Sequence, residues 1–428
     1  MALDTTAFDA SLKNVYQPGL REQINQKTNL LDLFTEDSIS RYEFQGRNLI
    51  FDLHSARDYS GSKYVAEGGG LPVAGSQSTK NLTIPVKSIF GRIELSERVM
   101  KVSKTDKGSF IRAMDLAQKG IVNDVSRQRN RALAGFGAGT LAVVSSGANS
   151  TTQTLKDPGG VVGTVNIPRF IKVGMLVAIV DPTGVTVRGV QTVTAVATTT
   201  ITLDVAINST TSDLVTLGTN SLGSNEDSFG DESMGILGLA DSTTYVTTLF
   251  GLDRSLAANS FFRSQVLTSV GSLNQDVIQR GVDNCEEVSG QYIDTFVCHS
   301  SLRREIQKLI APDVRYTVTD ANAHNFDSGS KAGSGSKDLT FNGWRFRTDK
   351  DMAYGTLVGL NTDHLFQIPL DKGSWSGAEG DPVLLRVANK ANYEGRWRID
   401  ENYMCDQGNA LVRFDGITVT VTQGTTAD

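Results

Sequence analysis

Four histidines and three cysteines are the residues most suited to do chemistry here, and their spacing gives them none. His54, His299, His324 and His364 are isolated, and no HExxH or paired HxH spacing sets two imidazoles on one face, as a metal site read from sequence requires. Cys285, Cys298 and Cys405 are odd in number and lack a CxxC partner, which speaks against a disulfide framework or zinc knuckle and for a reducing compartment. Cys298 and His299 are adjacent, and neighbours on a strand point to opposite faces, so Cys298 reads as core packing rather than as a nucleophile with its base. Glu286 and Glu287 close a helical stretch and read as a solvated face rather than an acid/base pair. There is no GxSxG elbow and no GxxxxGK[ST] phosphate loop. Gly135-Phe136-Gly137-Ala138-Gly139 follows a helix rather than joining a strand to one, so it reads as a helix stop. The expectation is a protein without catalytic residues, cofactor or metal, and therefore not an enzyme.

Composition narrows what else it can be. The 428 residues exceed one ordinary core, which predicts two or more lobes or a large fold with an insertion. With 39% apolar and 21% charged residues and no long apolar run, neither a disordered chain nor a membrane-spanning one is indicated. The 41 Lys+Arg against 47 Asp+Glu, a formal charge of −6, argue against a dedicated nucleic-acid binder but leave room for a local basic face. The opening Met-Ala-Leu-Asp lacks the basic-then-apolar run of a signal peptide, so a cytoplasmic product is expected. Glycine is abundant, 42 against 9 Pro and 4 His.

The elements come from periodicity. Residues 1–36 read as an arm broken by Pro18, whose Leu20, Ile24, Leu30, Leu31 and Phe34 need a core elsewhere. Alternation then takes over, with Tyr42, Phe44, Leu49, Phe51 and Leu53 matched by Leu82, Ile84, Val86, Ile89, Ile93 and Leu95. The intervening stretch, with Gly61, Gly68, Gly69, Gly70, Pro72 and Gly75, is far longer than a hairpin turn and predicts a projecting ribbon. A two-stranded ribbon is marginal in water, so it expects a surface to lie on. Over 104–134 the spacing becomes helical (Phe110, Ile111, Met114, Ala117, Ile121, Val122, Val125), and Lys104, Lys107, Arg112, Lys119, Arg127, Arg129 and Arg131 outnumber Asp106, Asp115 and Asp124 on its polar face.

Residues 158–222 form an island of Val, Thr and Gly whose one aromatic is Phe170. Strands over 170–180, 185–196, 201–207 and 214–217, with turn chemistry at Asp181-Pro182-Thr183-Gly184, predict a small inserted β-barrel or sandwich. Its linkers are Asp157-Pro158-Gly159-Gly160 and residues 221–225. Beyond it come helices over 271–288 and 300–310, a strand over 292–297 and a Ser/Gly/Asp loop over 318–338. Strands follow over 339–347, 356–360, 365–368, 383–388, 393–405 and 411–421. The fold class is α+β with an inserted all-β subdomain.

Three segments carry a resemblance: Tyr64-Val-Ala-Glu-Gly-Gly-Gly-Leu-Pro-Val73, Lys80-Asn-Leu-Thr-Ile-Pro-Val-Lys87 and Gly91-Arg-Ile-Glu-Leu-Ser-Glu-Arg-Val99. In this order they resemble the extended loop of tailed-bacteriophage major capsid proteins of the Hong Kong 97-type fold, with Ile93-Glu-Leu-Ser-Glu97 leading into the spine helix. Met234-Gly235-Ile-Leu-Gly-Leu-Ala-Asp241, the Ser289-Gly290 passage, Phe341-Asn-Gly343-Trp344 and Tyr393-Glu-Gly-Arg-Trp-Arg398 extend the likeness over most of the chain except the 158–222 island.

The resemblance implies an N-terminal arm (1–40), an extended loop (41–98), a peripheral domain (99–157, spine helix 104–134; continued over 223–254, with return strands over 381–428), the β-subdomain (158–222) and an axial domain (255–380). It implies a major capsid protein that assembles as pentamers and hexamers into an icosahedral shell around packaged double-stranded DNA. A separate scaffolding protein, a portal and room for a decoration protein go with it, with no membrane, and with assembly in the host cytoplasm into a virion capsid. The inter-subunit loop residues are then Lys63, Tyr64, Glu67, Gly68, Gly69, Gly70 and Pro72. In some members a loop lysine is linked covalently to a neighbour's asparagine, but for Lys63 neither the partner nor the assisting acid can be matched, and that chemistry is not carried over. The basic helix face has two readings, an ordinary solvated face or Arg127, Arg129 and Arg131 turned toward packaged DNA. The poverty of charge and aromatics in the island favours a folding or lattice-stabilising role over receptor binding. The alternatives are an encapsulin-like nanocompartment shell that encloses cargo enzymes and, with less support from the long helix, a β-rich phage tail or surface protein.

Overall fold

The computed structural model describes residues 30–36, 44–45, 48–58, 61–98, 113–158, 168–221, 224–317, 339–341, 343–375, 385–387 and 390–419. The chain divides into two compact units: one holds 89–127 and 373–399, the other 28–88, 128–372 and 400–428. The expected helix start at 104–112, the 318–338 loop and residues 1–29 of the arm lie outside the described residues.

The ribbon forms as alternation predicts. β1 (Asn48–Ala56) and β2 (Ser78–Pro85) pair antiparallel, with Leu49 opposite Ile84 and Phe51 opposite Leu82. Leu49, Leu82 and Ile84 are buried at the root, whereas the outer half of both strands is exposed or half-buried. The root joins a core with Leu30, Leu33 and Phe34 of the arm, so the arm's apolar residues do dock away from their own segment. Phe34 meets the Tyr403 ring edge-on at 4.9 Å. After the ribbon come β3 (Lys87–Ser96) and the helix α1 (Ala113–Leu133).

The β-rich insertion closes into a barrel. β4 (Ala142–Ser146), β5 (Asn149–Lys156), β6 (Leu176–Val180), β7 (Val187–Val196), β8 (Thr200–Asn208) and β9 (Leu214–Ser221) pair in the order β9-β4-β5-β8-β7-β6, and β6 returns to β9. Val144, Leu155, Val177, Ile179, Val193, Ile201 and Val215 fill its interior. The barrel therefore begins at residue 142, not 158: the inward Val144 and Leu155 belong to its core. Residues 170–175, expected as strand, form turns and irregular backbone that lead into β6.

A second sheet follows, made of β10 (Gln265–Leu267), β11 (Thr295–Cys298), β12 (Leu339–Phe341), β13 (Trp344–Thr348), β14 (Leu357–Leu360) and β17 (Val412–Phe414), in the order β10-β17-β14-β11-β13-β12. Helices α2 (Gln275–Ser289) and α3 (Ser300–Thr317) contribute Ile278, Val282, Cys285, Leu302 and Ile306 to its core. α2 starts where the Asn274 side chain accepts the Val277 N–H at 2.8 Å, a side-chain N-cap. Two expectations change here. The single strand over 339–347 is a hairpin, and the chain's last strand, expected among the peripheral return strands, inserts between β10 and β14, because Val412 and Phe414 complete the apolar face under α2.

β15 (Leu365–Trp375) and β16 (Asn392–Cys405) belong to a separate sheet with β3. In the smaller unit, α1 crosses β3 at Gly91, where a Cβ would stand 2.4 Å from Ile121 Cγ1 and 2.9 Å from Val125 Cγ2. Only glycine allows that approach. Trp375 and Trp397 pack edge-on at 5.3 Å nearby in the same unit.

Candidate assembly surface

The ribbon's tip is a braced, exposed loop. One carboxylate, Asp58, accepts the Gly61 N–H at 3.0 Å through Oδ1 and the Gly75 N–H at 2.7 Å through Oδ2, so it ties the outgoing and returning legs together. Below it, His54 Nε2 and Gln77 Oε1 are 2.7 Å apart, and the Ser55 hydroxyl donates to Ser78 O at 3.0 Å. At the end, Gly69 N–H donates to Ala66 O at 2.8 Å and Gly68 has φ +76°. That is a β-turn whose third residue must be left-handed, the position glycine fills without strain. Lys63, Tyr64, Glu67, Gly68, Gly69 and Gly70 are exposed and Pro72 is half-buried. Two residues that sequence reading passed over, Leu71 and Val73, are 85% and 80% exposed. Apolar side chains so exposed on a braced loop mark a contact surface rather than a core.

The arginines of α1 separate into two kinds. Arg127 is exposed. Arg129 forms a forked ion pair with Glu401, at 2.6 Å and 2.5 Å, and its Nη2 also reaches the Tyr403 hydroxyl at 3.4 Å. Burial opposes its charge, yet the Glu401 bonds carry its pKa above the usual arginine range. Arg131 is buried against Glu232, and burial pulls its pKa down to about 10. Of the two readings of this face, the one that turns all three arginines toward DNA is narrowed: Glu401 occupies Arg129 and Glu232 occupies Arg131, and Arg127 alone of the three stays at the surface.

Other buried charges hold the scaffold together. Arg413 and Asp241 form an ion pair at 2.9 Å with both side chains fully buried, and Asp241 also accepts the N–H groups of Thr244, Tyr245 and Val246. Burial raises the Asp241 pKa, but these donors and Arg413 more than offset it, so the carboxyl stays below its usual range. Asn130 donates to Asp349 and Asp351 and accepts the Leu30 N–H at 3.3 Å, joining arm, helix and the 349–354 loop. From the barrel side, Arg169 donates to the carbonyls of Lys350 and Met352 at 3.2 and 2.9 Å, and its guanidinium stacks on Phe170 and Tyr354. The same loop is thus fastened to both helix and barrel.

Nucleophiles and metal ligands form no centre. Among the described residues no group of three His, Cys, Asp or Glu side chains could hold a metal. The three thiols are free and buried, and burial pushes Cys298 up to about 12, so the thiolate needed for nucleophilic or metal chemistry is disfavoured. Cys298 packs in the sheet core, as its position predicted. His299 is half-buried, and its pKa is lowered to about 3 by desolvation and by the Arg169 charge.

Neither a family model nor a curated protein matches the sequence. Solved structures do. A cyanophage A-1(L) capsid asymmetric-unit chain is similar at 11% identity and a TM-score of 0.57, covering 97% of this chain and 99% of that one. A chain from the capsid of a native GTA particle is similar at 9% identity and a TM-score of 0.52, covering 98% and 100%, and one from an empty GTA particle at 10% and 0.51. The fold is therefore that of capsid-shell subunits, from one end of the chain to the other.

Proposed function

We propose that this chain is the major capsid protein of a tailed bacteriophage, a structural subunit that assembles with copies of itself into a closed icosahedral shell around double-stranded DNA. The observation that carries the reading is the extent of the likeness: 97% of this chain aligns with 99% of a capsid subunit. The ribbon supports it, since Tyr64, Leu71 and Val73 face solvent at a tip that Asp58 holds in one shape. On this reading the tip contacts a neighbouring subunit through Lys63, Tyr64, Glu67, Gly68, Gly69, Gly70 and Pro72. The region around β10 to β14 surrounds the axes of pentamers and hexamers, and the barrel steadies the lattice. Scaffolding, portal and decoration proteins are its assembly partners, the shell forms in the host cytoplasm, and Arg127 gives a salt-sensitive contact to DNA.

Electron microscopy of the purified chain, expressed with and without a co-expressed scaffolding protein, tests the reading. Closed shells or capsomers are expected in at least one preparation, and their absence from both overturns it.

A further inference from the structure

We propose that the groove beside the free edge of β10 receives residues 70–74 of a second copy of this chain, added as an extra strand. The proposal rests on the shell-forming reading above and names where the ribbon tip binds.

The edge comes first. Gln265 N–H donates to Leu411 O at 3.0 Å, and Leu267 O accepts the Asp415 N–H at 2.8 Å, both toward β17. The pleat then turns the N–H and C=O of the intervening Val266 the other way. β10 ends the sheet, and among the described residues no strand pairs with its outer side. An open groove of about 730 Å³ runs along that edge, lined by Ser55, Ala257, Phe261, Arg263, Val266 and Val288 among others. Its walls mix apolar side chains (Ala257, Phe261, Val266, Val288) with serines, Gln265 and Asn409, and carry one cation. Arg263 is held there by donating to the carbonyls of Arg254 and Ser255. A bare sheet edge with an open groove beside it is the arrangement that takes an extended peptide by strand addition, the backbone pairing with the edge and alternate side chains entering the groove.

The tip supplies a matching segment. Residues 70–74, Gly70-Leu71-Pro72-Val73-Ala74, carry no helix or strand of their own. In an extended chain the backbone groups of Leu71 and Val73 face one way and those of Pro72 the other. Leu71 and Val73 can therefore pair with Val266, while Pro72, which has no N–H, sits on the outer edge where proline is tolerated. Their two exposed side chains then share one face and enter the groove on the side of Phe261, Val266 and Val288, and Glu67, a few residues upstream, offers a carboxylate to Arg263. The occupant comes from another copy because Asp58 clamps both legs of the tip and holds it projecting from its own ribbon.

Disulfide trapping tests the pairing, since all three native cysteines are buried. Chains carrying Val73→Cys and chains carrying Gln265→Cys are mixed, assembled, oxidised and run on a non-reducing gel. A mixed disulfide dimer is expected from shells and is absent when Lys119→Cys replaces Gln265→Cys. Val266→Pro, which leaves the bonds of Gln265 and Leu267 to β17 in place, is expected to abolish the dimer while the free subunit unfolds at the native temperature. Shells that form without the cross-link, Val266→Pro chains that cross-link normally, or a doubly substituted chain that closes the bond within one subunit at high dilution would each overturn the proposal while leaving the shell-forming reading intact. If no shells or capsomers form from unsubstituted chains, the shell-forming reading fails and this proposal falls with it.

Discussion

Arg129 and Glu401 face each other as a fork on a fork, two N–H···O bonds of 2.6 and 2.5 Å between residues 272 positions apart, with the Glu401 side chain only 3% exposed. Gln367 donates a further bond to Glu401 at 2.7 Å, and the Tyr403 hydroxyl donates another at 2.8 Å. A carboxylate this deep needs its cation. Arg129→Met is expected to destabilise the subunit by about 3–5 kcal/mol, because it leaves Glu401 buried and uncompensated. Arg129→Met combined with Glu401→Gln should recover much of the loss. Urea unfolding of the two variants checks this, and equal losses in both would mean that the uncompensated charge is not the cause.

Among the described residues no carboxylate pairs with Arg127, which stays at the surface. Arg127→Glu is expected to leave the unfolding midpoint within about 0.5 kcal/mol of native, as exposed substitutions do. It should lower the DNA retained by shells, and lower it more in dilute salt than in concentrated salt. Reversing Arg129 and Arg131 as well would confound the measurement by unfolding the protein. The measurement is the ratio of nucleic acid to protein in purified shells, and unchanged retention would remove Arg127 from the DNA-facing surface.

The crossing of α1 over β3 depends on one missing methyl group. At Gly91 even a Cβ falls 2.4 Å from Ile121, and the neighbour is a branched side chain inside a helix rather than a flexible tip. Gly91→Val is expected to cost about 1–3 kcal/mol, as overpacking of a fitted contact does. Shortening the partner, as in Gly91→Ala with Ile121→Ala, should tolerate the new group better than Gly91→Ala with Val122→Ala. Thermal unfolding of the two pairs decides it.

These relationships explain which parts of the molecule could be read from the chain. The ribbon was legible because alternation is local: Leu49, Phe51, Leu82 and Ile84 declare a strand pair within 40 residues. The tip's position was legible, but its brace was not, since an Asp three residues before one glycine and 17 before another has no motif. The basic helix misled for the opposite reason. Arg127, Arg129 and Arg131 look alike in sequence, and only long-range folding delivers Glu232 and Glu401 to two of them. The barrel's second strand was hidden by its polar residues, with Gln153 buried by its bonds to Ser150 O, Ile207 O and Ser209 rather than by hydrophobicity. The C-terminal strand was legible as a strand, but Val412 and Phe414 show in sequence that they are buried and not which sheet they complete.

His299 gives the subunit a defined response to acid. It precedes α3, and its Nδ1 accepts the Ser301 N–H at 3.1 Å, so the imidazole caps the helix and must keep its proton on Nε2. The ring lies edge-on to Tyr354 at 4.4 Å, and Tyr354 in turn carries the Arg169 guanidinium. Burial and that cation lower the pKa from 6.5 to about 3. The folded state therefore binds this proton less readily than the unfolded one. Its stabilising effect is complete above pH 6.5 and is lost progressively as the pH falls toward 3. At about 1.4 kcal/mol per pH unit, the loss from this one group reaches roughly 3 kcal/mol by pH 4. His299→Asn keeps a side-chain acceptor for the cap and removes the titration, so its stability should fall less than the native protein's between pH 6.5 and pH 4. Urea unfolding of both proteins at pH 7, 5.5 and 4 gives the two slopes, and parallel slopes would show that acid acts on the carboxylates and not on His299.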